Sequence, residues 1–536
     1  MSETSLELLA RWLHAGDEGA AGRVAVATRT DDGWSNLTYQ DLDRRSAALA
    51  GALAAAGVEA GDRVALLCDA GGDWVCALFG ILRRGATVVP LDLKLTADEL
   101  TGLYQRSRLA AAVVSPAHRH RAPKDVPVLD PLDGSPANGQ SGDLARPLVD
   151  PAVLVWTSGT TGQPKGVVLS LANLAYVVQA ASEVQGTGPD ARWLSVLPPN
   201  HLLELSCGLL PALAAASSTF VARTVVPHDL AGLMAECRVN QMVVVPSVLK
   251  LMQRHLQTQA AKPGAAGAAL RASLRVAAAL PSHRLRRLAL APLHRRLGGN
   301  LRTFYCGGAP LDPDVVTSFD RLGLAVYPGY GLTEAAPTVS MNTPAHSRVG
   351  SVGRPIPGTE VRIGSGGEIL VRSPGVMVGY WDDEEATRQA IDPDGWLHTG
   401  DLGRLDDDGF LYVVGRAKSL IVLETGKKVQ PEEVELALAR SELFAEACVV
   451  GWRRKGGGEQ VCAVVVPTLA FAAAHPDRSD LEEAATEEVR RLTAGLSGYK
   501  RPAIVRVVDG ELPKSAKRSH LRAEIVRMLD EEAARR

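Results

Sequence analysis

Apolar positions follow two different periods along the first third of the chain. LTYQDLDRRSAALAGALAAAGV (37–58) sets small and apolar residues at helical spacing. RVALLCD (63–69) is a short continuous apolar run, as a buried strand would be. DWVCALFGILRRG (73–85) returns to helical spacing and closes on a glycine. ATVVPLD (86–92) reads as a strand, TADE (96–99) as a capping box opening a helix, and AAAVVS (110–115) as a further strand. Such alternation predicts an α/β fold with parallel sheets.

The pattern breaks over 116–150, a stretch rich in Pro, Gly and Asp that reads as a surface connection between two subdomains. VLVW (153–156) then restores an apolar run. After about residue 415 the pattern resets. LIVLETGKKV (420–429) predicts a hairpin with Thr-Gly at its turn. PEEVELALARS (431–441) predicts a helix with Pro in its first turn, and ACVVGW (447–452) and VCAVVVP (461–467) predict strands. A chain of 536 residues exceeds one ordinary core. The expected division is a large α/β N-terminal domain (1–415) and a small, mobile α+β C-terminal domain (416–536).

Composition adds constraints. The chain is 46% hydrophobic and 22% charged, with a formal net charge of −2, so no global field favours nucleic acid or an anionic membrane. The arginine-rich SHRLRRLALAPLHRRLGG (282–299) reads as a solvated basic helix face in preference to a polyanion site. Seven cysteines without CxxC spacing predict reduced, mostly buried thiols and a cytoplasmic protein. The N-terminus lacks a basic start followed by an apolar run, so no signal peptide is expected. LSCGLLPALAAASSTFVA (205–222) predicts a buried helix followed by a strand, and no transmembrane segment is expected.

Candidate chemistry starts at TSGTTGQPKG (157–166). Compared with the Walker loop GxxxxGK[ST], Pro164 replaces the second glycine and no hydroxyl follows Lys165. Phosphate-binding groups remain all the same. Glycines such as Gly159 let backbone N–H groups approach oxygens, Ser158, Thr160 and Thr161 bring hydroxyls, and Lys165 brings a positive charge.

TSGTTGQPKG resembles the signature of the adenylate-forming superfamily of acyl- and aryl-CoA synthetases, amino-acid adenylation domains and luciferases. Further resemblances follow in family order: YCGGAPL (305–311), YGLTEAAP (330–337), HTGDLGRLDDDGFLYVVGR (398–416) and GRAKSLIVLETGKKVQPEEVE (415–435). The resemblance implies two half-reactions, in which a carboxylic acid and ATP give an acyl adenylate and pyrophosphate, and a thiol then displaces AMP. It implies that Thr157, Ser158, Gly159, Thr160, Thr161 and Lys165 handle the β- and γ-phosphates. Gly308, Ala309 and Pro310 match the thin wall against adenine, and Tyr330 the aromatic that packs on it. Thr333 matches the hydroxyl near the α-phosphate and Glu334 the Mg²⁺ ligand. Asp401 and Arg416 match the ribose contacts, Lys418 the interdomain hinge, and Gly426 the glycine beside the pantetheine tunnel.

For the acid, the resemblance points to His201, Leu202 and Gly329. His201 takes the place of the family's acyl-pocket His or aromatic residue, with a buried structural histidine as the alternative. Amino-acid adenylation domains carry Asp where this chain has Leu202, so a neutral, apolar acid is favoured over an α-amino acid. LIVLETGKKV, CGGAPL and NHLLEL look closest to long-chain fatty acyl-CoA synthetases, which implies a fatty acid of open chain length. CoA is the first choice of thiol, since no room is evident for the extra segment of relatives that load a carrier protein. An acyl carrier protein phosphopantetheine is the alternative, and a catalytically silent adenylate-binding protein the reading of another class. No nucleic-acid partner is expected. In ELPKSAKRSHLR (511–522) strict register puts the family's final lysine on Ser519. A shorter loop would give its role to Lys514 first, or to Lys517.

Overall fold

The apolar runs become the middle strands of two large sheets, and the helical segments become the layers on their faces. The structure is a computed structural model and describes residues 3–132, 142–157, 164–222, 224–425, 427–453, 459–514 and 520–535.

A seven-stranded sheet runs in the order 379–380, 165–170, 151–157, 87–90, 63–67, 109–114, 128–129. The strands 63–67, 87–90 and 109–114 are parallel, and Val64, Leu66, Val88, Val89 and Val113 are buried. Their sequences read as unbroken apolar runs because helices cover both faces of such a sheet. One covering helix, Gly72–Arg83, packs against Tyr39–Ala55 so closely that a Cβ on Gly80 would lie 2.8 Å from Leu49. The helix expected from residue 37 starts at Tyr39, because Leu37 and Thr38 finish the strand Gly33–Thr38 and Thr38 caps the helix with Asp41. The capping box of Thr96 and Glu99 forms as expected and opens Ala97–Ser107. Within 116–150, Val128–Leu129 adds an edge strand beside 109–114, so this stretch extends the sheet as well as connecting.

The second sheet has nine strands in the order 354–355, 338–341, 325–331, 303–306, 241–244, 192–195, 218–221, 24–30, 33–38. Its centre is parallel, with 241–244, 303–306 and 325–328 in neighbouring positions. Residues 202–214 form helix, a π turn over Leu205–Leu209 and helix again, followed by the strand Ser218–Val221, as the apolar stretch there suggested.

The chain divides into two compact units. The larger comprises 1–361, 371–397 and 406–411, and the smaller 362–370, 398–405 and 412–536. In the smaller, Ile421–Val422 and Lys428–Val429 form the expected hairpin, and Pro431–Leu438 the expected helix. Phe444–Arg453 pairs antiparallel with Glu459–Pro467, which pairs parallel with Ile504–Val507. Val434, Leu438, Val449, Val461 and Val489 form its core. The fold is therefore α/β with a large N-terminal and a smaller C-terminal domain. All seven cysteines are buried and none forms a disulfide.

Candidate active site

The nine-stranded sheet releases two of the quoted segments side by side. Strand 303–306 lies parallel to 325–331, with Cys306 opposite Pro328. CGGAP leaves the first strand and YGLTE the second, both at carboxyl ends, where open α/β sheets bind ligands. Gly308 has φ +83°, a conformation L side chains rarely adopt. Gly308, Ala309 and Pro310 are exposed. Tyr330 is half-buried on its strand, opposite Ser340, and Gly329 opposite Met341. A Cβ on Gly331 would lie 1.7 Å from the Pro337 carbonyl oxygen, so only glycine permits the tight return that sets Thr333 and Glu334 in a 3₁₀ turn.

The seven-stranded sheet supplies the cation. Thr157 ends one strand and Lys165 begins its antiparallel neighbour, directly opposite. The Thr157 hydroxyl donates to the Lys165 carbonyl at 3.2 Å. Between them, Ser158, Gly159, Thr160 and Thr161 lie outside the described residues, as do Gly426 and Lys517. Lys165 Nζ sits 4.6 Å from the centre of the Tyr380 ring. The Tyr380 hydroxyl in turn donates to Glu334 Oε1 at 2.9 Å. Burial, with the Glu334 carboxylate beside it, holds the Tyr380 phenol well above its ordinary range. The Met377 N–H also donates to the Glu334 carbonyl, so backbone and side chain of Glu334 are fixed from the same segment. Tyr380 thus links the Lys165 ammonium to the Glu334 carboxylate, an oxygen donor of the kind a hard ion such as Mg²⁺ takes. Sequence reasoning passed over Tyr380. A lone Gly-Tyr pair carries no period, and its place depends on pairing between 379–380 and 165–170.

On the acid side, His201 Nε2 lies 3.6 Å from Asp92 Oδ2, and the imidazole is about one-third exposed. The fully buried structural histidine therefore does not describe it. Leu202 is buried. Its neighbour Leu203, which sequence reasoning did not select, is the side chain against the glycine wall, 3.2 Å from a Cβ placed on Gly307. Glu204 is buried beside them in sequence, and burial pushes its carboxyl up to about 8 against an opposing hydrogen bond with Ser195. Its Oε2 has no hydrogen-bond partner among the described residues.

In the smaller unit, Asp401 is buried on the strand Leu397–Leu405, and Arg416 Nε lies 2.9 Å from its Oδ1. The Asp401 N–H donates to the Thr399 hydroxyl oxygen, whose own proton goes to the Ile369 carbonyl. Lys418 follows in the turn Ala417–Ser419, which Arg522 fastens through the Ser419 hydroxyl while also pairing with Glu432 and Glu435. Lys514 Nζ is 2.5 Å from Glu446 Oε1. Burial alone would raise the Glu446 carboxyl, but hydrogen bonds from Lys514 and the Leu512 N–H outweigh it and hold the group below its ordinary range.

Residues 14–381 match the AMP-binding enzyme family and 433–519 the AMP-binding enzyme C-terminal domain. A long-chain-fatty-acid–CoA ligase of Mycobacterium bovis, FadD15, is 33% identical over 466 residues, 80% of this chain and 77% of its own. A feruloyl-CoA synthase of an Amycolatopsis species is 32% identical over 527 residues, 94% of this chain and 96% of its own. The o-succinylbenzoate CoA synthetase MenE of Bacillus subtilis, solved with ATP and magnesium ion, superposes with a TM-score of 0.77 at 25% identity, covering 97% of this chain and 99% of that one. With both matches in chain order and the first covering more than half of the chain, the chain belongs to the AMP-binding enzyme family of the adenylate-forming superfamily.

Proposed function

We propose that this chain is an AMP-forming acid–CoA ligase acting on a neutral, apolar carboxylic acid. The observation that carries the reading is the line from Lys165 through Tyr380 to Glu334, which holds a cation and a carboxylate in fixed relation beside the YGLTE turn. In the first half-reaction the acid's carboxylate oxygen attacks the α-phosphorus of ATP and pyrophosphate leaves. Lys165 would offset charge on the departing phosphates, Thr333 would donate to the α-phosphate, and Glu334 would hold Mg²⁺, which supplies a Lewis acid when bound. Asp401, with two oxygens on one rigid group, suits a ribose cis-diol and is held by Arg416. In the second half-reaction the CoA thiolate attacks the acyl carbonyl carbon and AMP leaves. A swing of the small domain about Lys418 would separate the two steps.

Support for an apolar acid comes from Leu202, a buried apolar side chain in place of a carboxylate. The relatives named above are described as acting on acids of different shape, so a long-chain fatty acid is one class among several and an aryl acid another. The test is pyrophosphate release with ATP and Mg²⁺ over a panel of fatty and aryl acids, followed by thioester formation with CoA or with a phosphopantetheinyl carrier protein. Release with an apolar acid and thioester with CoA is the expected result. No release with any acid would overturn the reading in favour of silent adenylate binding.

A further inference from the structure

From Cys237 to Leu311 the chain carries twelve lysines and arginines and neither aspartate nor glutamate, although its formal net charge is −2. This one-sign run builds four consecutive helices, Pro246–Ala261, Ala265–Ala279, His283–Ala289 and Ala291–Arg296, each packed on the next. The short helix His283–Ala289 is turned against the usual sense. Its inward side holds His283 and Arg286, 2.6 and 2.5 Å from Asp320, and Arg287, which donates to the Leu301 and Gly299 carbonyls. Its outward side carries Arg284, Leu285 and Leu288, the last 73% exposed. The preceding helix is turned in the usual sense, with Leu274 packed on the core and Arg271 exposed. Gly267 and Ala277 are buried, while Ala268, Ala269, Ala272 and Val276 face out beside Arg275. Arg295 and Arg296 are exposed on the next helix.

Leucine and arginine displayed together, with no acid in the run, suit a lipid–water boundary. Leucines enter the acyl margin, and guanidinium groups reach phosphates. A basic surface for single-stranded nucleic acid would pair its cations with stacking aromatics, and one for a duplex would need only cations and have no use for outward leucines. Among the described residues no helix is long and apolar enough to cross a membrane, so this layer would lie on a bilayer and not span it. We propose that the helical layer 246–296 docks the protein on the surface of an anionic lipid bilayer. The inference rests on this surface and not on the acid assigned above.

The test is flotation of the full-length protein with vesicles of phosphatidylcholine alone or with added phosphatidylglycerol. The expected result is binding to the anionic vesicles, weakening as salt rises. Arg295→Glu with Arg296→Glu should lower the partition coefficient by at least roughly 25-fold, from about fivefold per surface cation. Leu288→Glu should lower it by on the order of tenfold by removing an inserted side chain. Leu469→Glu, at a site 92% exposed in the smaller unit, should bind as wild type. All these positions are exposed, and a thermal melt of each variant separates misfolding from lost docking; Leu288→Ser replaces any variant that melts early. Equal binding to both vesicle types, or wild-type binding by the Leu288 and arginine variants, overturns the proposal. Binding to duplex DNA without binding to vesicles overturns it in favour of a polyanion site.

Discussion

Tyr380→Phe isolates one contact at the centre of the proposed site. The ring stays over Lys165 and the backbone bond from Tyr380 N–H to the Thr387 hydroxyl is untouched. Only the hydroxyl that donates to Glu334 Oε1 at 2.9 Å is lost. A hydrogen bond to a charged acceptor is worth about 1.5–3 kcal/mol, or roughly 10- to 150-fold in an equilibrium or rate. The Glu334 carboxylate would then rotate and offer Mg²⁺ a less ordered oxygen. The loss should appear in kcat/KM for ATP and shrink as Mg²⁺ is raised, since extra ion compensates a weaker site. Tyr380→Leu also removes the aromatic face from Lys165, for a further ~0.5–2 kcal/mol. The assay is initial-rate pyrophosphate release across a Mg²⁺ series, with a thermal melt of each variant as a fold control. If Tyr380→Phe stays within about twofold of wild type at every Mg²⁺ concentration, far below the range above, Tyr380 does not position Glu334.

Three further outcomes follow from the same structure. Glu334→Gln should leave the melting temperature unchanged but cripple pyrophosphate release at limiting Mg²⁺, because an amide is a poorer ligand than a carboxylate; wild-type release would remove Glu334 from the metal. Lys418→Pro should spare adenylation and sharply slow thioester formation, as Pro fixes φ and removes an N–H at the hinge, whereas equal loss of both half-reactions would place the hinge elsewhere. Glu204, raised to about 8 by burial, stays protonated in the fold above the pH at which the unfolded chain ionises it. Stability should therefore fall as pH rises from about 4.5 to 8 and level off beyond, by on the order of 5 kcal/mol for this group. Glu204→Gln should flatten that slope in denaturant midpoints at pH 5.5 and 8.5, and an unchanged slope would mean that Glu204 is not neutral in the fold.

Legibility tracked the range of the interactions. Thr157 and Lys165 could be read as a pair because they flank one short loop, and their strands meet in register. YGLTE could be read because the turn is local, closed by Gly331 and Pro337. Tyr380 could not, since its role arises when an edge strand from far along the chain docks beside Lys165. Leu203 was missed for a different reason. Which of two adjacent leucines meets the glycine wall depends on the phase of a helix that passes into a π turn, and no periodicity argument fixes that phase. The basic run near residue 290 was visible as composition, yet net charge averaged it away. Only the fold shows that Arg286 and Arg287 turn inward while Leu288 turns out.

The least legible assignment is the lysine proposed for adenylation, and Glu446 offers a way to test it. Lys514 Nζ is held 2.5 Å from Glu446 Oε1, with Glu511 Oε2 at 3.7 Å, and both partners of the shorter pair are largely buried. His520 Nε2 approaches the other Glu446 oxygen at 3.6 Å, and Lys514 and His520 form an antiparallel backbone bridge. If Lys514 serves adenylation, it must leave Glu446 and strand a partly buried carboxylate, at a cost of about 1–3 kcal/mol. Glu446→Gln would lower that cost. Adenylation should then speed up by several-fold while the small domain melts earlier, and Lys514→Ala should slow adenylation by on the order of 10²–10³-fold. If Lys514 is only a structural partner of Glu446, both substitutions should lower the melting temperature together and leave adenylation per folded enzyme unchanged. Timing pyrophosphate release separately from thioester formation with pre-made acyl-AMP decides between these outcomes. Loss of the first step on Lys517→Ala alone would pass the role to Lys517.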